Sequence, residues 1–288
     1  MPKQISSNSR IKADLIELCA GTAAVSLAAL GAPGFPASRR GSKRGWVVPI
    51  LTALQCTPPV PHVVLVESDP DLARLLEALF SPGVERIAAA IERRASTPAR
   101  AEWTSARAGS RPEDVLLTIA GSRGGVRDGG FKGAHCLRAS VDGFTPNRHA
   151  LAKRVRAFAP LAGRATVICG DVATLDPERF APTRVYMDPP YADRRGYGAK
   201  LSGPAHIARR WAHAGHLVLV SEAIPLAEAD ATIEITHLRS GQSRRSLTNN
   251  QAEWISRFGT LDSNATTLSP GKRTLTEGCN LGDQNPTA

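Results

Sequence analysis

Short apolar runs that stop abruptly at an acid, a glycine or another small residue recur along this chain, and they constrain its fold more than any other feature. Leu15 to Cys19, interrupted only by Glu17, gives way to Ala20-Gly21-Thr22-Ala23, and Val63 to Val66 ends in Glu67. Ala165 to Cys169 ends in Gly170-Asp171, and Arg184 to Met187 ends in Asp188-Pro189-Pro190-Tyr191. His216 to Val220 and Ala231 to His237 add two further runs. Apolar runs of this length, bounded by turn formers, read as strands buried on both faces. Between them lie helical patterns. Val25 to Leu30 follows the first turn, and Leu72, Leu75, Leu76 and Leu79 keep a three-four spacing behind Asp69-Pro70-Asp71. That tripeptide supplies an N-cap, a proline at the first helical position and an acid in the first turn. A further helix is expected from about Asn147 to Phe158. Strands alternating with helices predict an α/β fold with a doubly wound, mostly parallel sheet. Its ligand crevice lies at the C-terminal ends of the strands, where the polar and glycine residues gather.

The chain has 288 residues, enough for one large α/β domain with an insertion or for two small domains. Hydrophobic residues make up 42% of it, which excludes global disorder. The net charge of +10 suits a polyanionic partner, and its distribution sharpens that reading. Between Arg93 and Pro160 there are 13 basic and 5 acidic residues, so 13 − 5 = 8 of the excess sits in one stretch. From Ala95 to Gly143 hydrophobic periodicity fades and Gly, Arg and Ser dominate, which predicts an irregular basic insertion contributing little to the sheet. The organisation expected is therefore a first half of the core over 11–92, with a Gly/Lys/Arg loop at 32–46. An insertion over 93–146 and a second half of the core over 147–259 follow, and the polar tail over 260–288 is expected to be disordered. The five cysteines show no C-x-x-C pairing and the seven histidines no metal-ligand spacing, so neither a metal site nor a disulfide framework is expected. No apolar run is long enough for a membrane span, and the polar start Met1 to Arg10 lacks a signal core. A soluble protein of the cytoplasm, monomeric and without a membrane partner, is the expectation.

The most specific chemistry lies in Asp188-Pro189-Pro190-Tyr191. An aromatic exocyclic amine is a poor nucleophile because its lone pair is delocalised into the ring. A carboxylate and a carbonyl accepting its two N–H bonds draw the nitrogen toward tetrahedral geometry and free the lone pair for in-line attack. Asp188 supplies the carboxylate and Pro189 the carbonyl. The paired prolines preset the carbonyl direction, and the ring of Tyr191 offers a surface for a flipped base. The turn Cys19-Ala20-Gly21-Thr22 after Glu17 lets backbone approach a ligand closely. Glu67 stands where an acid accepts hydrogen bonds from a ribose diol, and because Asp69 is better placed to cap the helix, Glu67 is left for that role. Asp171, followed by Val172, is placed to accept a proton from an adenine amine.

These motifs in this order resemble the Dam-type family of adenine-specific DNA methyltransferases. The resemblance covers Asp14 to Asp71 and Thr145 to Phe258. Leu18 to Ser26 looks like the family's cofactor motif F-A-G-S-G-A-V-S, with Ala23 in place of its second glycine, and Asp188 to Tyr191 matches the catalytic motif. The resemblance implies a Rossmann-like methyltransferase sheet and S-adenosylmethionine as cofactor, held by Glu17, Cys19, Ala20, Gly21, Thr22, Glu67, Asp171 and Val172. It implies catalysis by Asp188, Pro189, Pro190 and Tyr191 on a flipped adenine in duplex DNA. The family's G-G-K-R-like segment precedes the first strand. The one candidate here, Gly41 to Trp46, follows it, and Lys43 is then the residue expected to pair with the cofactor carboxylate. The basic insertion becomes the target-recognition region, with Arg123, Arg127, Lys132 and Arg138 as expected DNA contacts. Arg244 to Thr248 and Glu253 to Ile255 look like the family's last hairpin, and Arg244 and Arg245 are expected at phosphates.

Other functions share parts of this pattern. Ribosomal-RNA guanine-N2 methyltransferases also use D-P-P-Y but typically lack a long insertion such as the one between Glu67 and Asp171. N4-cytosine enzymes more often carry Ser at the first motif position. A methyltransferase-like DNA-binding protein without catalysis is the reading from a different class.

Overall fold

A computed structural model describes residues 10–37, 46–94, 99–122, 125, 130–131, 148–190, 201–235 and 253–261. Among these, seven strands form one sheet: β1 Leu15–Leu18, β2 Val63–Glu67, β3 Ala165–Cys169, β4 Arg184–Met187, β5 Leu217–Glu222, β6 Ala231–Ile235 and β7 Glu253–Phe258. Their order is β3-β2-β1-β4-β5-β7-β6. The first five strands in that order pair in parallel, while β7 runs antiparallel to both β5 and β6. This is the α/β, mostly parallel sheet expected, compatible with a Rossmann-like fold. The connections reverse direction at β1, so the crevice of the topological switch point opens between β1 and β4.

Helices cover both faces. Leu15, Val63, Leu65, Tyr186 and Leu219 point to one of them. That face packs on α1 (Ala24–Ala29), α2 (Val47–Ala53), α3 (Pro70–Leu79), α4 (Val84–Arg93) and helices from the expected insertion. Ile16, Leu18, Val64, Val66, Val185, Met187, Val218 and Val220 point to the other, where Phe180 and the Ile207, Ala208 and Trp211 side chains close the core. Alternation of side chains between two apolar layers is what makes the central strands read as unbroken apolar runs. The helix after β2 forms for the reasons its sequence suggests. Asp69 caps it by accepting from the amides of Asp71 and Leu72 at 2.9 and 3.3 Å, Pro70 begins it, and Leu72, Leu75, Leu76 and Leu79 are buried.

The insertion departs from expectation. Far from being irregular throughout, it contains α5 (Ala99–Ala108) and α6 (Pro112–Gly121). From Asp114 to Gly121 every residue of α6 is buried, and Ala106, Val115, Leu116, Leu117 and Ile119 belong to the same core as the sheet. A helix that is apolar all round shows no amphipathic stripe, which is why periodicity fades in the sequence. In α5, the run of Ala, Arg, Ser and Thr around Trp103 carries few apolar anchors. Arg94, Arg111 and the buried Asp114 form an ion-pair cluster joining the end of α4 to α6. Burial alone would raise the Asp114 carboxyl, but hydrogen bonds from Arg111 and Arg94 outweigh it and hold the group below the ordinary aspartate range. The remaining helices are α7 (Arg148–Arg156) and α8 (Pro204–His213). Arg156 of α7 clamps Glu85 and Glu92 of α4 at 2.9 and 2.7 Å.

Among the described residues no helix is long and apolar enough to cross a membrane. Nor does any group of three or more His, Cys, Asp and Glu side chains there stand ready to hold a metal ion.

Gly121 tests how tightly α6 is seated. A Cβ there would lie 2.7 Å from Cδ1 of Trp103, whose indole is fixed by donating to Ser122 Oγ at 2.9 Å. Gly121→Ala gains about 1 kcal/mol of helix propensity but costs about 1–3 kcal/mol by overpacking. The net expectation is a lowered midpoint in thermal or urea unfolding. A raised midpoint would contradict the α5–α6 packing.

Candidate functional site

Register decides which side chains meet. Leu18 pairs with Val66 on one side and Met187 on the other, so β1, β2 and β4 end at one level. One residue further on stand Cys19, Glu67 and Asp188 on three adjacent strands. Neighbouring strands lie about 4.8 Å apart. Glu67 pairs in turn with Cys169, which brings Asp171 to the same rim. The amide of Gly170 donates to the Glu67 carbonyl at 3.0 Å and fixes the β3 end against the β2 end.

The turn after β1 is built from backbone that ordinary residues rarely adopt. Cys19, Gly21 and Ala23 have φ of 57°, 54° and 51°. For a residue with a Cβ the left-handed region costs about 1–2 kcal/mol, so Cys19 and Ala23 are strained where glycine would not be. Ala23 begins α1 from this conformation, and that explains why a glycine is usual at such a position. Three bonds hold the turn. The amide of Ala20 donates to the Val66 carbonyl at 2.9 Å, and that of Ala23 to the Ala20 carbonyl at 2.6 Å. The amide of Gly21 donates to Glu67 Oε2 at 2.8 Å.

Glu67 is consequently not left over once Asp69 caps the helix. Its second oxygen, Oε1, accepts from the Asp69 amide at 2.9 Å. Each carboxylate oxygen has two lone-pair positions, and the hydrogen bonds given among the described residues take one on each. The side chain arrives at the rim oriented by two backbone amides. Asp171 is exposed and its Oδ1 accepts from the Ala173 amide at 2.9 Å, while Val172 is buried in the core beneath.

Glu17 lies deeper. It is 3% exposed, it sits opposite Tyr186 of β4, and its Oε2 accepts from the Ser26 amide of α1 at 2.7 Å. Burial, with a smaller contribution from the nearby Asp188 charge, pushes its carboxyl up to about 7. Burial also raises the Cys19 thiol well above its ordinary value, and Glu67, Asp188, Asp171 and Glu17 all add to that rise. Four carboxylates from four strand ends therefore converge electrostatically on the Cys19 turn. Such a region repels anions and favours a ligand that carries positive charge or hydroxyl donors.

Asp188 and Pro190 are partly accessible at the end of β4, with Pro189 buried between them. Behind Asp188, the fully buried Tyr186 hydroxyl meets Ser221 Oγ of β5 at 2.7 Å. Ser26 closes the segment that resembles the cofactor motif but is given no role by the sequence, and Ser221 is an addition the sequence does not single out. Ser221 and Glu222 close the apolar run of β5, and only that position near a strand end hints at a role. The structure thus brings together Glu17, Cys19, Ala20, Gly21, Thr22, Glu67, Asp171, Val172, Asp188, Pro189 and Pro190. Tyr191, Lys43, Arg123, Arg127, Lys132, Arg138, Arg244 and Arg245 lie outside the described residues.

No protein-family model matches this chain, and no curated protein matches it either.

The raised Glu17 carboxyl has a direct consequence for stability. Between pH 4.5 and about 7 the folded chain holds a proton there that the unfolded chain has lost. Stability therefore falls as pH rises through this window, and the full cost is felt above it. Glu17→Gln removes the cost and keeps an acceptor for the Ser26 amide. The variant is expected to be more stable than the parent at pH 8 by on the order of 3 kcal/mol, with the gain vanishing toward pH 4.5. Urea unfolding across pH checks this, and a pH-independent difference would contradict it.

Proposed function

We propose that this chain is an S-adenosylmethionine-dependent DNA methyltransferase that acts on the exocyclic N6 amine of adenine. The observation that carries the reading is the level meeting of Asp188-Pro189-Pro190 with the carboxylate-lined turn after β1, across the switch point of the sheet. The resemblance of both segments to the Dam-type motifs supports the same conclusion, and so does the net charge of +10.

The donor set fits the cofactor. When bound, S-adenosylmethionine supplies an electrophilic methyl group on a positively charged sulfur. Glu17, Glu67, Asp171 and Asp188 provide negative potential for that charge. The second lone-pair positions of Glu67 suit the two ribose hydroxyls, and Asp171 suits an adenine amine. The turn Cys19 to Ala23 brings backbone rather than bulky side chains against the ligand. Val172 and Leu18, buried below, offer no competing polar group.

On the substrate side, Asp188 accepts one N–H of the target amine and the Pro189 carbonyl the other. The two bonds localise the nitrogen lone pair before attack. After transfer the nitrogen carries one proton too many, and the Asp188 carboxylate is the acceptor at hand. The basic residues of the insertion and of the β6–β7 connection would hold the DNA backbone and set its register.

The test is methyl transfer from labelled S-adenosylmethionine to unmethylated duplex DNA, with nucleoside analysis of the product. N6-methyladenine is expected, and Asp188→Ala is expected to reduce the rate by about 10²–10³-fold or more. Transfer to structured RNA but not DNA would contradict the DNA reading. DNA binding with no transfer from the parent chain would contradict catalysis.

A further inference from the structure

Glu17 is the group at the site whose burial is least explained by packing alone. A side chain that is 3% exposed in the middle of a central strand is normally apolar, as its neighbours Ile16 and Leu18 are at 0%. Its charged form is favoured by the Ser26 amide, with the Ser26 side chain and the Val25 amide adding to that, but it has no salt bridge to any of the described residues. Among the described residues, the titratable groups around it carry the same sign or none. On β4 these are Tyr186, directly opposite, and Asp188 two residues beyond. On its own strand Cys19 follows, whose thiol also feels the charges of Glu67 from β2 and Asp171 beyond β3. The helix α1 that covers it carries neither an acid in its first turn nor a base in its last.

We propose that Glu17 is the proton-exchanging counter-charge of this site, so that binding of a cationic nucleoside ligand expels a proton from its carboxyl into solvent. The inference rests on the reading of the site as a pocket for S-adenosylmethionine, and goes beyond it by making occupancy a function of pH. The physical sequence is short. In the ligand-free chain a second negative charge beside Asp188, in a region shielded from water, is unfavourable, so Glu17 keeps its proton at mildly acidic pH. A positive charge placed beside Asp188 and Cys19 reverses that balance. The O–H bond of Glu17 then breaks, the electron pair stays on the carboxylate, and the proton passes to buffer. By linkage, a ligand that favours the deprotonated form must bind more tightly as pH rises toward neutrality. Such an exchange removes one negative charge from the pocket when it is empty and restores it when a cationic ligand is bound.

Calorimetric titration of the full chain with S-adenosylmethionine, at pH 6 in buffers of different ionisation enthalpy, counts the protons released. Up to one proton per bound ligand is expected. Affinity is expected to rise by up to about 10-fold per pH unit between pH 5 and 7. Glu17→Gln is expected to abolish both effects, leaving an affinity that is weaker than the parent's at pH 7 and no longer changes between pH 5 and 7. S-adenosylhomocysteine, which shares every group except the sulfonium charge, is expected to release clearly less than S-adenosylmethionine from the parent chain. That comparison needs no variant. Tight binding of S-adenosylmethionine with no proton exchange from pH 5.5 to 7.5 would overturn the inference and leave the methyltransferase reading standing. Equal release by the two ligands, or release that persists in Glu17→Gln, would also overturn it. Absence of binding at every pH would overturn the reading of the pocket and this inference with it.

Discussion

Parallel pairing of Leu18 with both Val66 and Met187 brings three central strands to an end at one level, and the candidate site is built on those ends. A shift of one residue in either pairing would turn Glu17 and Tyr186 to the opposite face and separate Cys19 from Asp188. The register is specified by burial on both sides of the sheet. Leu15, Leu65 and Leu219 must face one helical layer, and Ile16, Val64 and Val218 the other. Packing thus fixes the chemistry's geometry without any side chain of the site having to do so.

The groups at those ends work against stability. Two residues that carry a Cβ sit in left-handed backbone, and four carboxylates share one electrostatic neighbourhood. Part of the cost is offset locally. Backbone amides from Gly21 and Asp69 meet the Glu67 carboxylate, and the Ser26 amide meets Glu17. Strained backbone and clustered charges of this kind gather at functional sites, which makes the region the candidate one. The cluster Arg94–Asp114–Arg111 offers the contrast, because there the buried negative charge has positive partners.

The central strands are legible in the sequence because residues buried on both faces leave unbroken apolar runs, and the rim residues because each run stops at a polar group. The helix after β2 is legible from Asp69, Pro70 and its leucine spacing. Helix α6 is hidden for a physical reason, namely that Val115 to Gly121 is buried all round and carries no stripe. The role of Glu67 is half legible. Sequence places it at the end of β2, but only the fold shows the Gly21 amide reaching it across strands. Ala23 follows a small-residue turn in the sequence, but its φ of 51°, a conformation glycine adopts without strain, is visible only in the fold. Contacts such as Tyr186 with Ser221 join residues far apart in the chain and leave no pattern in the sequence.

A crystal structure of the chain with S-adenosylmethionine tests the central claim most directly. Ligand density is expected over the ends of β1, β2 and β4, with the ribose against Glu67, the adenine toward Asp171 and the methyl group facing Asp188. Density elsewhere on the molecule, or a rim that stays empty at saturating ligand, would contradict it.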